Sequence, residues 1–149
     1  MKRTASLTFA AALLALTCTE PSPSVGGAWK LVGSLTYPAD FDLSAGQPYV
    51  CADTGTLSLT GGNAFSGTYD SLTIACNTGG RTTGSNGVVI NGALGGGTVS
   101  FNFDTPALLF VGTVHGDSMG GTVTDSVNGF AGMEVASGTW SACQGRVCH

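Results

Sequence analysis

The chain has 149 residues, of which only 9% are charged, and 24 of them are glycine. Five basic and nine acidic residues give a net charge of −4 without any basic cluster, which argues against nucleic acid or an anionic membrane surface as a partner bound through charge. Regular alternation of apolar residues argues against disorder, despite the glycine content.

Residues 1–17 have the pattern of an export signal peptide. Lys2 and Arg3 provide the positive start, and the apolar run 7–16 is too short to span a bilayer. The tetrapeptide that ends at Cys18, ALTC, resembles the lipobox of bacterial lipoproteins, whose cysteine is lipidated and becomes the mature N-terminus. Ala15 and Thr17 depart from the residues that the lipobox favours, so ordinary cleavage and secretion stay the alternative.

The cysteine count supports lipidation. Five cysteines are an odd number for an exported protein, and lipidation of Cys18 leaves four for two disulfides. Of the three connectivities we favour Cys51–Cys76 and, within the tail, Cys143–Cys148. The first pair flanks a predicted hairpin in which Leu59 faces Phe65 and a bulge lies near Asp70-Ser71. Thiols pair in an oxidising compartment before they bind zinc, so we predict no metal at the tail cysteines and His149.

After residue 17 the sequence divides into a short tether, 18–26, and one domain, 27–149. Without the signal peptide, three basic and nine acidic residues leave a net charge of −6. Almost every segment of the domain alternates with period two, which is typical of half-buried strands. The predicted strands are 28–37, 54–60, 64–76, 87–94, 98–103, 108–115, 118–125 and 133–142.

Eight sequential strands with short connections predict an all-β fold, an antiparallel up-and-down meander that closes into a β-barrel. Closure removes the two exposed edges that such a long meander would otherwise leave. A two-sheet β-sandwich is the alternative. The long segments 38–48 and 77–86 are the main irregular insertions, and both could border an opening.

The stretch VHGDSMGG, 114–121, contains the G-x-S-x-G pattern of serine hydrolases around Ser118. A nucleophile elbow needs a helix after the serine, whereas strand-forming residues follow here. With Gly116 and Asp117 as the turn, His115 lies opposite Ser118. Over six residue pairs, residues of compatible size and polarity then lie opposite each other on both faces of the hairpin. We therefore predict a hairpin turn and no enzyme, although an exposed dyad of His115 and Ser118 stays geometrically conceivable.

Other chemical candidates are weak. Asp40, Asp42 and Asp53 lie in or beside the first long connection. A weak cation site there is the alternative, but we interpret them as solvated loop acids. The run 95–97 of three glycines joins two strands without a helix to accept a phosphate. The sequence therefore predicts no cofactor and no metal site.

Gly27-Ala28-Trp29, at the start of the first strand of an eight-stranded meander, resembles the lipocalin and avidin group of small barrels. Thr124-Asp125 and the stretch SGTW, 137–140, are similar to motifs of the same group. The resemblance implies that Trp29 packs across a closed barrel end, beneath an arginine that follows the last strand, here Arg146.

We therefore expect a lipid-anchored protein of the cell envelope, at the outer membrane or facing the periplasm, whose bilayer contact is its acyl group. Its barrel would bind a small, mostly apolar ligand through inward side chains, for which Trp29, Tyr69, Phe101 and Phe110 are the candidates. Similar side chains also fill closed cores. The alternative is therefore a non-catalytic structural or interaction lipoprotein with a filled barrel and an unknown protein partner.

Overall fold

The computed structural model describes residues 23–37, 49–77, 81–125 and 136–148. Within them, antiparallel strands pair in sequence order, and the last strand pairs with the first to close a barrel. The strands are β1 Gly27–Tyr37, β2 Tyr49–Gly61, β3 Ala64–Cys76, β4 Arg81–Gly95, β5 Thr98–Phe103, β6 Leu108–His115, β7 Ser118–Asp125 and β8 Ala136–Gln144. This confirms the predicted eight-stranded meander barrel and excludes the sandwich alternative.

The period-two alternation places one side of each strand in the barrel interior. In β1, for example, Trp29, Leu31 and Leu35 are buried, whereas Lys30 and Thr36 next to them in the chain are exposed. Large apolar side chains from all eight strands meet inside in one core cluster. In the described part of the chain, no helix is long and apolar enough to cross a membrane.

Glycines on the inner wall make room for aromatic rings. A Cβ atom at Gly87 would overlap the Tyr69 ring, and one at Gly92 would overlap the Phe65 ring. Both glycines are in β4, and both rings come from the neighbouring β3. The aromatic side chains can therefore lie flat against the next strand, which lets a narrow barrel hold many rings.

Two strands begin at least five residues earlier than the sequence pattern predicts. β2 begins at Tyr49 instead of residue 54, and β4 begins at Arg81 instead of residue 87. Most of the predicted insertion 77–86 is therefore strand, because its Thr- and Ser-rich backbone pairs with β3 without any apolar alternation to reveal it. The insertion 38–48 and residues 133–135 of the predicted last strand lie outside the described residues.

The β2–β3 hairpin differs from the predicted register by two residues. Gly61, not Leu59, lies opposite Phe65, because the chain turns tightly after Gly61 at a φ of 122°. A shift of two keeps every side chain on its predicted face. The predicted bulge is confirmed, since Thr56 pairs with Asp70 but Thr54 pairs with Thr73, and Ser71 between them has a positive φ of 56°.

The two ends of the barrel differ. At one end, which we call the closed end, tight turns join β2 to β3, β4 to β5 and β6 to β7, and the buried side chains of Val25 and Trp29 lie at the start of β1. At the other end, which we call the mouth, the strands are joined through 38–48, 78–80, 104–107 and 126–135. Only 104–107 among these connections lies within the described residues.

Candidate functional site

All four predicted ligand-contacting side chains point into the barrel. Trp29, Tyr69, Phe101 and Phe110 are each at most 3% exposed, which confirms the inward orientation expected from alternation. Trp29 lies at the closed end, where its indole Nε1 donates a hydrogen bond of 2.8 Å to the carbonyl oxygen of Val25. Their role in ligand binding stays a prediction.

The rings in the middle of the barrel contact one another. Phe101 stacks on Phe110 with 4.8 Å between ring centroids, and Tyr69 stacks on Phe103 at 4.2 Å. Trp140 meets both Phe101 and Phe110 edge-on, at 5.4 and 5.6 Å. Offset and edge-on arrangements are the favourable ones for aromatic pairs, so these rings stabilise each other and occupy the central section.

Two carboxylates lie inside the mouth half of the barrel. Asp53 in β2 is 4% exposed, and Asp125, the last residue of β7, is 9% exposed. Asp53 lies opposite Gly33 in β1 and Ile74 in β3, on the same inward face as Cys51 and Leu57. Burying an acid is costly unless it finds partners, so each of the two requires an explanation.

Asp125 has a defined partner. The Tyr37 hydroxyl donates a hydrogen bond of 2.8 Å to Asp125 Oδ2, across the intervening strand β8. Ala136 lies opposite Asp125, and Ser137 lies opposite Thr36, so a small residue separates the tyrosine from the acid. The alanine leaves the space that the tyrosine ring needs to reach over β8.

Asp53 is less well satisfied. Its Oδ1 atom is buried and has no hydrogen-bond partner among the described residues. Burial, with a smaller contribution from the charge of Asp125, raises the pKa of Asp53 from its usual 3.8 to about 6. At neutral pH the carboxyl is therefore mostly ionised, and two like charges face the same interior.

The interpretation of Asp53 as a solvated loop acid is wrong. β2 begins four residues before it, and Gly33 on the neighbouring strand leaves space beside its side chain, with the positions of a Cβ on Gly33 and the Asp53 Cβ 3.7 Å apart. One signal in the sequence could have located it. Extending the alternation of Leu59 and Leu57 backwards passes through Gly55 and reaches Asp53 on the inward face. Asp40 and Asp42, interpreted in the same way, lie outside the described residues.

The described part of the mouth rim is tied to the barrel wall. The Tyr69 hydroxyl donates to the carbonyl oxygen of Thr105, and Asp104 Oδ1 accepts a hydrogen bond of 2.9 Å from the Val88 amide. Burial and the nearby Asp104 carboxylate raise the pKa of Tyr69, so its hydroxyl remains protonated and able to donate at neutral pH. These bonds fix the 104–107 connection in place beside the mouth.

The hairpin of the G-x-S-x-G pattern has the predicted register. His115 pairs with Ser118, Val114 with Met119, and Phe110 with Val123. The Ser118 hydroxyl donates a hydrogen bond of 2.9 Å to the carbonyl oxygen of His115 and not to its imidazole. The Asp117 carboxylate is bound by the Arg146 guanidinium at 2.9 Å, so Asp117, His115 and Ser118 form no relay in this arrangement.

A surface depression of about 580 Å3 lies beside this hairpin, at the outer wall of the closed end. Polar and tail residues line it, among them Thr113, His115, Ser118, Arg146 and Val147. It lies outside the barrel and at the opposite end from the two buried acids. The prediction that the protein is not an enzyme stays a prediction.

Both predicted disulfides are present. Cys51–Cys76 joins β2 to β3 near the mouth, where the two residues lie directly opposite each other. Cys143–Cys148 closes a short loop after β8 at the closed end. Cys18, the predicted lipidation site, lies outside the described residues.

The features that resemble lipocalins agree with the structure in part. Trp29 does close one barrel end, but the Arg146 side chain is 63% exposed and binds Asp117 at the β6–β7 turn. Thr124-Asp125 lies at the mouth, away from Trp29. Comparisons with protein-family models, with curated proteins and with solved structures found no match. The buried groups of the barrel are therefore the basis for inferring function.

Proposed function

We propose that the protein is an exported, lipid-anchored barrel of the cell envelope that binds a small, mostly apolar molecule in the mouth half of its interior. The observation that carries this proposal is the buried carboxylate pair, Asp53 and Asp125, with one oxygen of Asp53 unpaired. A barrel that only needed a packed core would be more stable with apolar side chains at these positions. Polar groups that fix the orientation of a ligand are typical of small-molecule sites.

Export and anchoring are supported by two independent features. Two disulfides suit an oxidising compartment outside the cytoplasm, and the signal-peptide pattern ends at a lipobox-like Cys18. Val25 lies at the closed end, so a tether that leads from Cys18 into β1 reaches the barrel there. In this arrangement the acyl anchor holds the closed end near the bilayer, and the mouth faces away from it.

A second candidate function is a structural or interaction lipoprotein with a filled barrel. The mutual stacking of Phe101, Phe110 and Tyr69 favours it, because these rings already occupy the central section. On the outside, β4 and β6 also expose apolar side chains, each about 40% accessible: Val88, Ile90, Leu109 and Val111. A partner protein that covers this outer face would account for them.

Native mass spectrometry of the protein extracted gently from its own host's membranes separates these functions. The binding function predicts acyl groups on Cys18 and a bound small molecule, which is lost on denaturation. A lipidated protein without any adduct, which also fails to bind added small molecules, would overturn it in favour of the filled barrel. A C18S variant is the control for anchoring, and it should move from the membrane to the soluble fraction.

A further inference from the structure

The two buried acids lack a cation among the side chains that the structure describes. Lys30 is on the outer surface, where its Nζ donates to Thr56 at 3.1 Å. Arg146 binds Asp117 at the closed end, and His115 is exposed beside it. The interior of the mouth half therefore holds two buried carboxylates, one of them bound by the Tyr37 hydroxyl, with no described counter-charge near them.

This imbalance is energetically significant. An ionised carboxylate in an apolar interior is strongly destabilising unless a positive charge or several hydrogen bonds accompany it. Asp125 receives the Tyr37 hydrogen bond, but Asp53 Oδ1 receives none among the described residues. With the pKa of Asp53 at about 6, most molecules are ionised there at pH 7. A bound cation with N–H groups would relieve the repulsion between the two carboxylates and would also donate the hydrogen bond that Asp53 Oδ1 lacks within the described part of the chain.

The surroundings favour an organic cation over a metal ion. No group of three or more His, Cys, Asp or Glu side chains that could hold a metal occurs within the described residues. Calcium takes six to eight oxygen ligands, many more than two carboxylates supply. The neighbouring side chains are apolar instead: Leu108 lies opposite Asp125, Ile74 lies opposite Asp53, and Trp140 lies across Gly33 from Asp53.

A primary ammonium group suits this set of acceptors. Its three N–H donors match carboxylate acceptors, of which Asp53 Oδ1 lacks a partner among the residues that the structure describes and Asp125 is near enough to act on the charge of Asp53, and its carbon chain suits the apolar side chains beside them. Gly33 adds space, because a Cβ built there stays 3.7 Å from the Cβ atoms of both Asp53 and Trp140. We propose that Asp53 and Asp125 bind the ammonium group of a small, otherwise apolar amine. This inference rests on the proposed function, a barrel interior that admits a small molecule.

The test compares two probes of equal length, hexylammonium and the neutral 1-hexanol, by calorimetry with the full-length C18S protein at pH 7. Hexylammonium should bind at least 10-fold more tightly than 1-hexanol. D53N and D125N should each weaken hexylammonium binding at least 10-fold and leave 1-hexanol binding within about 2-fold. D70N is the matched control, because Asp70 is an exposed acid on β3, and it should change neither affinity.

Each other result has a defined meaning. Equal binding of both probes would overturn the ammonium site and leave the proposed function standing. Binding of neither probe would overturn the ammonium site, and the proposed function then depends on the adduct found by native mass spectrometry. Competition by potassium or ammonium chloride at the same concentration as hexylammonium would indicate an inorganic cation site and also overturn the inference. Circular dichroism of every variant checks that a loss of binding is not a loss of the fold.

Discussion

The Tyr37 hydroxyl donates a 2.8 Å hydrogen bond to Asp125, although 88 residues separate the two in the chain. The bond crosses β8 on the inner side of the barrel, so it forms only when β8 is inserted between β1 and β7. It therefore links barrel closure to the polar part of the mouth. The same closure brings Asp125 close enough to Asp53 to affect its pKa.

Replacing Tyr37 with Phe should lower the free energy of unfolding by about 2 kcal/mol at pH 7, because a hydrogen bond to a charged group contributes about 1.5–3 kcal/mol. Urea unfolding, monitored by tryptophan fluorescence, measures this change in the free energy of unfolding. The double variant Y37F/D125N should lose clearly less than the sum of the two single losses. Strict additivity would mean that the two groups do not interact in solution.

Asp53 should make the protein less stable as pH rises. Its folded pKa of about 6 lies above the usual 3.8, so between these values the folded state holds a proton that the unfolded state has released. That contribution to stability is present below about pH 4 and is lost as pH rises through 6, by about 3 kcal/mol in total. D53N removes it.

The measurement is the difference in unfolding free energy between D53N and the wild type, in amine-free buffer at pH 4 and pH 7. Between the two pH values, the unfolding free energy of D53N should rise relative to that of the wild type by about 2.4 kcal/mol. A difference that does not change with pH would show that Asp53 keeps an ordinary pKa. D70N provides the comparison with an exposed acid.

Gly121→Ala should destabilise the barrel by about 3 kcal/mol or more, because the new Cβ would overlap the backbone of β6 at Val111 and Gly112. Gly112 and Gly121 lie directly opposite each other, so their strands approach closely there. Gly62→Ala is the control: no atom lies within 4 Å of its added Cβ, and the change should stay within about 0.5 kcal/mol. Equal destabilisation by the two substitutions would contradict the close approach of β6 and β7 at this position.

The two disulfides should differ in their contributions. Cys51–Cys76 closes a separation of 25 residues, and Cys143–Cys148 closes one of 5. Chain entropy then predicts stabilisation of about 3.5 and about 2 kcal/mol, respectively. Paired substitutions, C51A/C76A and C143A/C148A, compared by thermal and urea unfolding, check the order. A larger loss of stability on removing Cys143–Cys148 would show that packing in the native state, and not chain entropy, decides how much each disulfide stabilises the fold.

Ser118→Ala should change stability by less than about 1 kcal/mol, because the lost hydrogen bond is an exposed one to the His115 carbonyl. Any slow hydrolysis of an activated ester, such as p-nitrophenyl acetate, should be the same in the variant. Abolished hydrolysis in S118A, with the wild-type fold retained, would instead identify Ser118 as a nucleophile and make the protein an enzyme.

The amino-acid sequence by itself determined the eight strands, the meander and the pairing of β6 with β7, but not the register of β2 against β3. Period-two alternation shows which residues share a face, and a two-residue turn fixes the register of β6 against β7, so Phe110 could be placed opposite Val123 in advance. The inward positions of Trp29 and Phe101 and the bulge beside Ser71 follow from the same local periodicity.

Only the tertiary structure decided which polar groups meet. Asp53, Asp125 and Tyr37 come from β2, β7 and β1, and nothing local in the sequence connects them. The Tyr37–Asp125 hydrogen bond and the proximity of Asp125 to Asp53 depend on the pairing of β1 with β8, which sets how far each strand is displaced along the barrel axis. A pattern with period two records the face of a residue but not its height in a closed barrel. The buried acid pair was therefore determined by the closure of the sheet.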